Sequence, residues 1–258
     1  MLRLTSCLLI TFSTLQPQVT GLEIMKKLEA QPEPRDVVSK TVLTLTKIMK
    51  AKERHRSREI TRYEKYFSEG SFLSKSLIRF TKPADVKGTG LLMWEYRKSG
   101  KDNDQWLYLP ALKKTKRIIS NQKNQSFMGS DFTYQDMEGR DIDDDTYTIL
   151  GEEELFGETC FKVEAKPVEK GIYSRRIIWV EKERSILRKV EFFDRKDKLL
   201  KMMTIPEVRK DGDYWTILKM VMENIQKPHK TTLEISDVQY DTGIEEGFFS
   251  ERYLKRAR

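Results

Sequence analysis

Roughly ten antiparallel strands with one or two short helices, curled into a barrel or half-barrel, is the fold this sequence predicts: mainly β, in the α+β class. Three observations carry it. Runs of β-branched and aromatic residues recur through the second half of the chain at regular spacing, separated by turns rich in charge, Gly or Pro, which marks antiparallel neighbours rather than βαβ units. Side chains alternate with period two from Val37 onward. With 38% hydrophobic and 34% charged residues over 258 positions, apolar material suffices for one core and not for several. Ten strands are too many for a flat open sheet, so the sheet should curl.

The chain opens on Met1-Leu2-Arg3 and an apolar run from Leu4 to Leu15 that is too short to span a bilayer. Residues 1–21 read as a secretory signal, with Leu22 as the mature start and 22–258 as a single domain. Leu4-Thr5-Ser6-Cys7 superficially matches a lipoprotein box, but the apolar run follows the cysteine instead of preceding it, which argues against a lipid anchor on Cys7. Without the leader Cys160 is the only thiol, which rules out an intrachain disulfide and a cysteine-rich zinc site; His55 and His229 are the only histidines, and no metal or cofactor is expected.

Leu22, Ile24, Met25 and Leu28 fall on one face of a short amphipathic helix that Pro32 and Pro34 stop. Half-buried strands follow over 37–46, 58–67 and 75–81, with Ser68 to Ser71 as a turn. Gly90–Tyr96 and Gln105–Leu109 form a hairpin whose connection carries Gly100 and Asn103. Both faces of Gly90–Tyr96 are apolar, Leu91 and Met93 on one and Leu92, Trp94 and Tyr96 on the other, so each face needs a cover. A basic strand ends at Ile119, and Ser120 to Ser126 is a polar loop. The second half is a meander: 146–150, 159–165, 173–180, 186–193, 199–205, 214–224 and 231–240 read as strands, and Ser250 can cap a last helix through Leu254.

The stretch Lys82 to Tyr134 holds the most unusual residues. Lys82-Pro83, Asp85-Val86-Lys87-Gly88-Thr89-Gly90, Trp106-Leu107-Tyr108-Leu109-Pro110, Arg117 and Phe127-Met128-Gly129-Ser130-Asp131-Phe132-Thr133-Tyr134 resemble the outer-membrane lipoprotein-sorting-protein group, relatives of the periplasmic lipoprotein carrier. The resemblance covers most of the mature chain. It implies an incomplete antiparallel β-barrel whose concave face is covered by short helices and a loop. It also implies a periplasmic, non-enzymatic carrier that holds lipid or lipoprotein acyl chains in an apolar cavity, beside an exporter of the resistance-nodulation-division type.

Leu92, Trp94, Trp106, Tyr108, Phe127, Met128 and Phe132 are the candidates to line or gate that cavity, since an acyl pocket needs apolar walls and aromatic and methionine side chains offer area and adaptable shape. Plain core packing is the competing reading for each. Period two pairs Leu92 with Trp94 and Trp106 with Tyr108 on common faces without saying which face is concave. Arg117 is the candidate contact for a head group, or a solvated strand residue. Gly88, Gly90 and Gly129 suit backbone conformations or close approaches that a side chain would prevent.

Two other functions compete with the carrier reading. A secreted lipid or ester hydrolase would use Ser130, with His55 or His229 as base, but Gly129-Ser130-Asp131 is the wrong order for a Gly-Asp-Ser motif and no Gly-x-Ser-x-Gly elbow occurs. A non-catalytic envelope interaction module is the other. The formal charge of +8 does not point to nucleic acid, because the basic residues alternate with acidic ones in the turns; it suits peripheral contact with anionic membrane surfaces.

Overall fold

The computed structural model describes residues 19–50, 52–97 and 101–256; leader residues 1–18 with Cys7, and hairpin residues 98–100 with Gly100, lie outside the described residues. Thr20 and Gly21, which the sequence reading assigns to the leader, begin the first helix, α1 (Gly21–Glu29). Thr20 accepts from the Glu23 amide at 3.2 Å and Glu23 reaches back to the Thr20 amide at 2.8 Å, a reciprocal capping box. Ile24 is the buried residue of its apolar stripe, and α1 lies against the strands of the second half.

Among the described residues thirteen strands follow, where the sequence reading expects roughly ten: β1 (Asp36–Met49), β2 (Lys52–Tyr66), β3 (Phe72–Lys82), β4 (Gly90–Tyr96), β5 (Asp104–Leu109), β6 (Lys114–Ile118), β7 (Asp145–Leu155), β8 (Glu158–Pro167), β9 (Arg175–Glu181), β10 (Leu187–Phe193), β11 (Leu199–Asp211), β12 (Tyr214–Asn224) and β13 (His229–Tyr240). β6, Lys-Thr-Lys-Arg-Ile, is the basic strand expected to end at Ile119; its ladder to β5 holds it although little of it is apolar. α2 (Glu251–Leu254) closes the chain, capped by Ser250 as its sequence suggests.

All thirteen strands form one antiparallel sheet in the order β6-β5-β4-β3-β2-β1-β13-β12-β11-β10-β9-β8-β7. Every neighbour is also a sequence neighbour except β1 and β13, so the sheet is a meander joined through its first and last strands. The two edges, β6 and β7, are not paired with each other, and the sheet remains unclosed. It is nonetheless strongly curled. Laid flat at about 4.8 Å per strand, its edges would stand roughly 58 Å apart. Yet Phe127 packs with Ile78, Leu91 and Leu107 of β3 to β5, while Phe132 packs with Val163, Ile178 and Val190 of β8 to β10. Five residues of chain reach at most roughly 18 Å, so the two halves must face each other.

The segment between β6 and β7 fills the space so enclosed. Ile78, Phe80, Leu91, Met93 and Leu107 point to this inner face and are covered by Phe127 and Tyr134. Leu77, Leu92, Trp106 and Tyr108 point outward and are covered by Phe249 and Leu254 of the C-terminal tail. The two-sided burial of β4 is thereby accounted for: a loop covers one side and the tail the other.

Candidate functional site

The segment from Ile119 to Asp144 forms no strand; it runs through single 3-10 turns at Ser120–Gln122, Gln135–Met137 and Ile142–Asp144. Its tip is a tight reversal. Met128 and Gly129 both have positive φ, +50° and +76°, and the Ser130 amide donates to the Phe127 carbonyl at 2.9 Å, the pattern of a type I′ turn. The Phe127 amide then donates to the Phe132 carbonyl at 2.8 Å, and Ser126 bridges Thr133. This miniature hairpin carries one phenylalanine into each half of the inner face. Phe127 lies 5.9 Å from the Phe80 ring and 5.7 Å from that of Tyr134.

Polar contacts fasten the tip and its flanks to the sheet. The Asp131 carboxylate accepts from the Thr231 hydroxyl at 2.7 Å and pairs with His229 Nδ1 at 2.7 Å, while the Asp131 amide donates to Thr231 Oγ1 at 2.9 Å. Arg58 of β2 donates to the Met128 carbonyl. Asp136 pairs with Lys201 and accepts from the Tyr173 hydroxyl at 2.8 Å and the Thr133 amide at 2.6 Å. Burial holds Lys201 below the ordinary lysine range, partly offset by Asp136, and burial together with the Asp136 charge pushes Tyr173 far up. Farther along, Glu138 pairs with Lys123 at 2.7 Å and accepts from Gln105 Nε2 at 2.8 Å. Burial pushes the Glu138 carboxyl up to about 7, with Lys123 working against it.

A cleft of about 830 Å³ opens between this tip and the end of the sheet where the β1–β2, β10–β11 and β12–β13 turns gather. Phe132, Tyr173 and Leu200 supply its apolar wall, and Lys47, Arg195, Lys201, Lys227 and His229 its basic one. Asp131 is the one carboxylate in the lining. Among the described residues no group of three or more His, Cys, Asp or Glu is placed to hold a metal ion.

The structure divides the seven residues that the sequence nominated. Phe127, Met128 and Phe132 belong to the segment over the inner face, and Phe132 borders the cleft. Leu92, Trp94, Trp106 and Tyr108 stand together on the opposite face of the sheet. There Trp94 and Trp106 lie 4.7 Å apart, and Trp94 Nε1 donates to the Phe249 carbonyl at 2.9 Å. Leu92 shares a face with Trp94 and Trp106 with Tyr108, as period two requires, and that face is the outer one, because odd-numbered Leu91, Met93 and Leu107 hold the inner positions of β4 and β5. Arg117 is an exposed residue of edge strand β6, bound to Asp104, and it does not line the cleft. Gly90 serves a close approach: a Cβ there would stand 2.7 Å from Leu254 Cδ1 of the tail.

Ser130 gives its hydroxyl proton to the Phe127 carbonyl at 2.7 Å. Neither histidine is hydrogen-bonded to it, since His229 is held by Asp131 and His55 by Thr46 at 3.0 Å. Lys201 and Asp136 have no counterpart in the sequence reading, where His229 figures only as a candidate hydrolase base. The available signal was Lys201 itself, a lysine at an inward position in the Leu199-Leu200-Lys201-Met202-Met203 run.

The model of an uncharacterised-protein family matches residues 73–256. The crystal structure of a DUF1329 family protein from Desulfovibrio piger is 30% identical with a TM-score of 0.84, over 91% of this chain and 97% of that one. A putative outer membrane lipoprotein-sorting protein domain from Vibrio parahaemolyticus is 33% identical with a TM-score of 0.84, over 92% and 98% of the two chains. A LolA superfamily protein from Nitrosomonas europaea shares the fold at 18% identity, with a TM-score of 0.67 over 92% and 100%. No curated protein matches the chain.

Proposed function

The chain belongs to the DUF1329 family, and on that premise we propose that it is a periplasmic carrier that binds the acyl chains of a lipid or lipoprotein without catalysis. The observation that carries the proposal is how the inner face is covered. Its apolar residues, Ile78, Phe80, Leu91, Met93, Val163 and Val190 among them, are closed over by a segment that forms no strand. Phe127, Phe132, Tyr134 and a handful of polar contacts hold it, rather than a hydrogen-bonded ladder. A cover attached in this way can leave without breaking the sheet, and what it uncovers is the apolar surface that an acyl chain needs.

The 33% identical relative, described as a lipoprotein-sorting protein domain, supports this class of cargo. The sequence resemblance extends the reading to a membrane partner, an exporter of the resistance-nodulation-division type, with peripheral contact at the membrane surface. A hydrolytic role for Ser130 gains no support, since its proton is engaged by a backbone carbonyl.

The test is organic extraction of the purified protein followed by mass spectrometry, together with titration of a fluorescent fatty acid. The carrier reading expects a co-purifying lipid or saturable binding, and weaker retention in Phe132→Ala. A lipid-free extract combined with no fatty-acid binding would overturn it.

A further inference from the structure

The cleft beside the segment's tip carries a charge pattern that acyl binding does not require. Lys47 lies near the end of β1 in register with His229, Lys227 lies in the β12–β13 turn, Arg195 in the β10–β11 turn, and Lys201 sits on the inner face with its side chain only 3% exposed. Among the described residues Lys47, Arg195 and Lys227 have no ion-pair partner, whereas Lys201 is paired with Asp136. Asp131 in the lining is already engaged by Thr231 and His229. The β1–β2 hairpin at the same rim adds Lys50, Lys52, Arg54 and Arg56, all exposed. Cations gathered around a concavity with one apolar wall focus their field into it, since the wall excludes the water that would screen them.

The apolar wall gives the direction of the ligand. Phe132 lines the cleft and also belongs to the inner cluster with Val163, Ile178 and Phe192, so the cleft abuts the apolar interior at that ring. At about 830 Å³ the cleft is the size of a small-molecule site and larger than a bare inorganic anion fills.

We propose that this cleft is the head-group site for a phosphate-bearing anionic lipid, with the phosphate held by Lys47, Lys227 and Arg195 and the acyl chain passing Phe132 into the interior. The assignment rests on the carrier reading and adds the class of cargo to it. It also moves the head-group contact from Arg117 on edge strand β6 to the end of the sheet where the β1–β2, β10–β11 and β12–β13 turns gather.

The experiment compares, on the full-length chain and its Lys47→Gln/Lys227→Gln variant, the binding of fluorescent phosphatidylglycerol, diacylglycerol with the same chains and label, and inorganic phosphate. Lys47 and Lys227 are exposed, so their replacement leaves the packing intact. Two lysines near a lipid phosphate account for roughly thirtyfold in affinity. Phosphatidylglycerol is therefore expected to bind more tightly than diacylglycerol and to lose roughly thirtyfold in the variant. Diacylglycerol binding should not change. Equal affinities for the two lipids, unaltered by the variant, would overturn the head-group site and leave the carrier standing. Tight inorganic phosphate binding without lipid binding would assign the cleft to the free anion and overturn the lipid source. Absence of any binding would remove both the carrier and the head-group site.

Discussion

Replacing Glu138 by Gln should abolish a pH dependence of stability that this one carboxyl imposes. Its side chain is 9% exposed and that of its partner Lys123 is 10% exposed. Burial raises the carboxyl from 4.5 to about 7, more than Lys123 and Gln105 can offset. A carboxyl whose folded pKa lies above its unfolded one stabilises the fold when protonated. That contribution is fully present below about pH 4.5, is withdrawn as pH rises, and is gone above about pH 7. At about 1.4 kcal/mol per pH unit the withdrawal amounts to about 3 kcal/mol, a large fraction of a marginal folding free energy.

Urea unfolding of wild type and Glu138→Gln at pH 4 and pH 8 isolates the effect, because all other titrating groups are common to both proteins. The wild-type stability relative to the variant should fall by about 3 kcal/mol between the two pH values. The protection factor of the Gln135 amide, which donates to the Lys123 carbonyl at 2.9 Å, should fall from the lower to the higher pH in wild type alone. Parallel stability profiles, or a gap that grows in the other direction, would refute the argument.

Trp94→Phe should cost about 1–3 kcal/mol in urea unfolding by leaving the buried Phe249 carbonyl without its donor, while lipid retention stays unchanged because Trp94 faces away from the inner surface. Lys201→Met should cost about 3–5 kcal/mol by stranding the buried Asp136 carboxylate, and adding Asp136→Asn should restore much of the loss, a coupling that a double-mutant cycle measures. Cys160 is fully buried and its thiol is pushed up to about 11, chiefly by burial, so a maleimide should label it at neutral pH only after denaturant is added.

Local patterns in the sequence disclosed local structure. The Ile24, Met25 and Leu28 stripe, the Ser250 cap and the alternation of Thr41, Leu43 and Leu45 each depend on near neighbours, and each is present, although Leu22, expected on the same stripe, is exposed. The tip of the covering segment was legible for the same reason: Phe127, Met128 and Phe132 are apolar residues in a Gly-, Ser- and Asn-rich stretch. The identity of the inner face was not legible, because period two assigns companions and not direction. Trp94 is committed to the outer side by Phe249, 155 residues away, and no pattern within β4 encodes that tail. The same distance hides the cleft, whose Asp131–His229 and Asp136–Lys201 pairs join residues 98 and 65 positions apart.

The open seam of the sheet explains why those long-range pairs matter. β6 presents Lys114 and Lys116 to solvent and β7 presents Glu152, Glu153 and Glu154, charges that keep exposed edges from recruiting a foreign strand. Since the two edges do not pair with each other, the chain joining them cannot be a short turn and must instead cross the enclosed face. Once it crosses, burying Phe127 and Phe132 brings Asp131 and Asp136 out of water, and each needs a partner there. Thr231 with His229 and Lys201 with Tyr173 supply those partners from β13, β11 and the turn before β9. The unclosed barrel, the cover over its apolar face and the basic rim beside that cover are thus consequences of one topological choice.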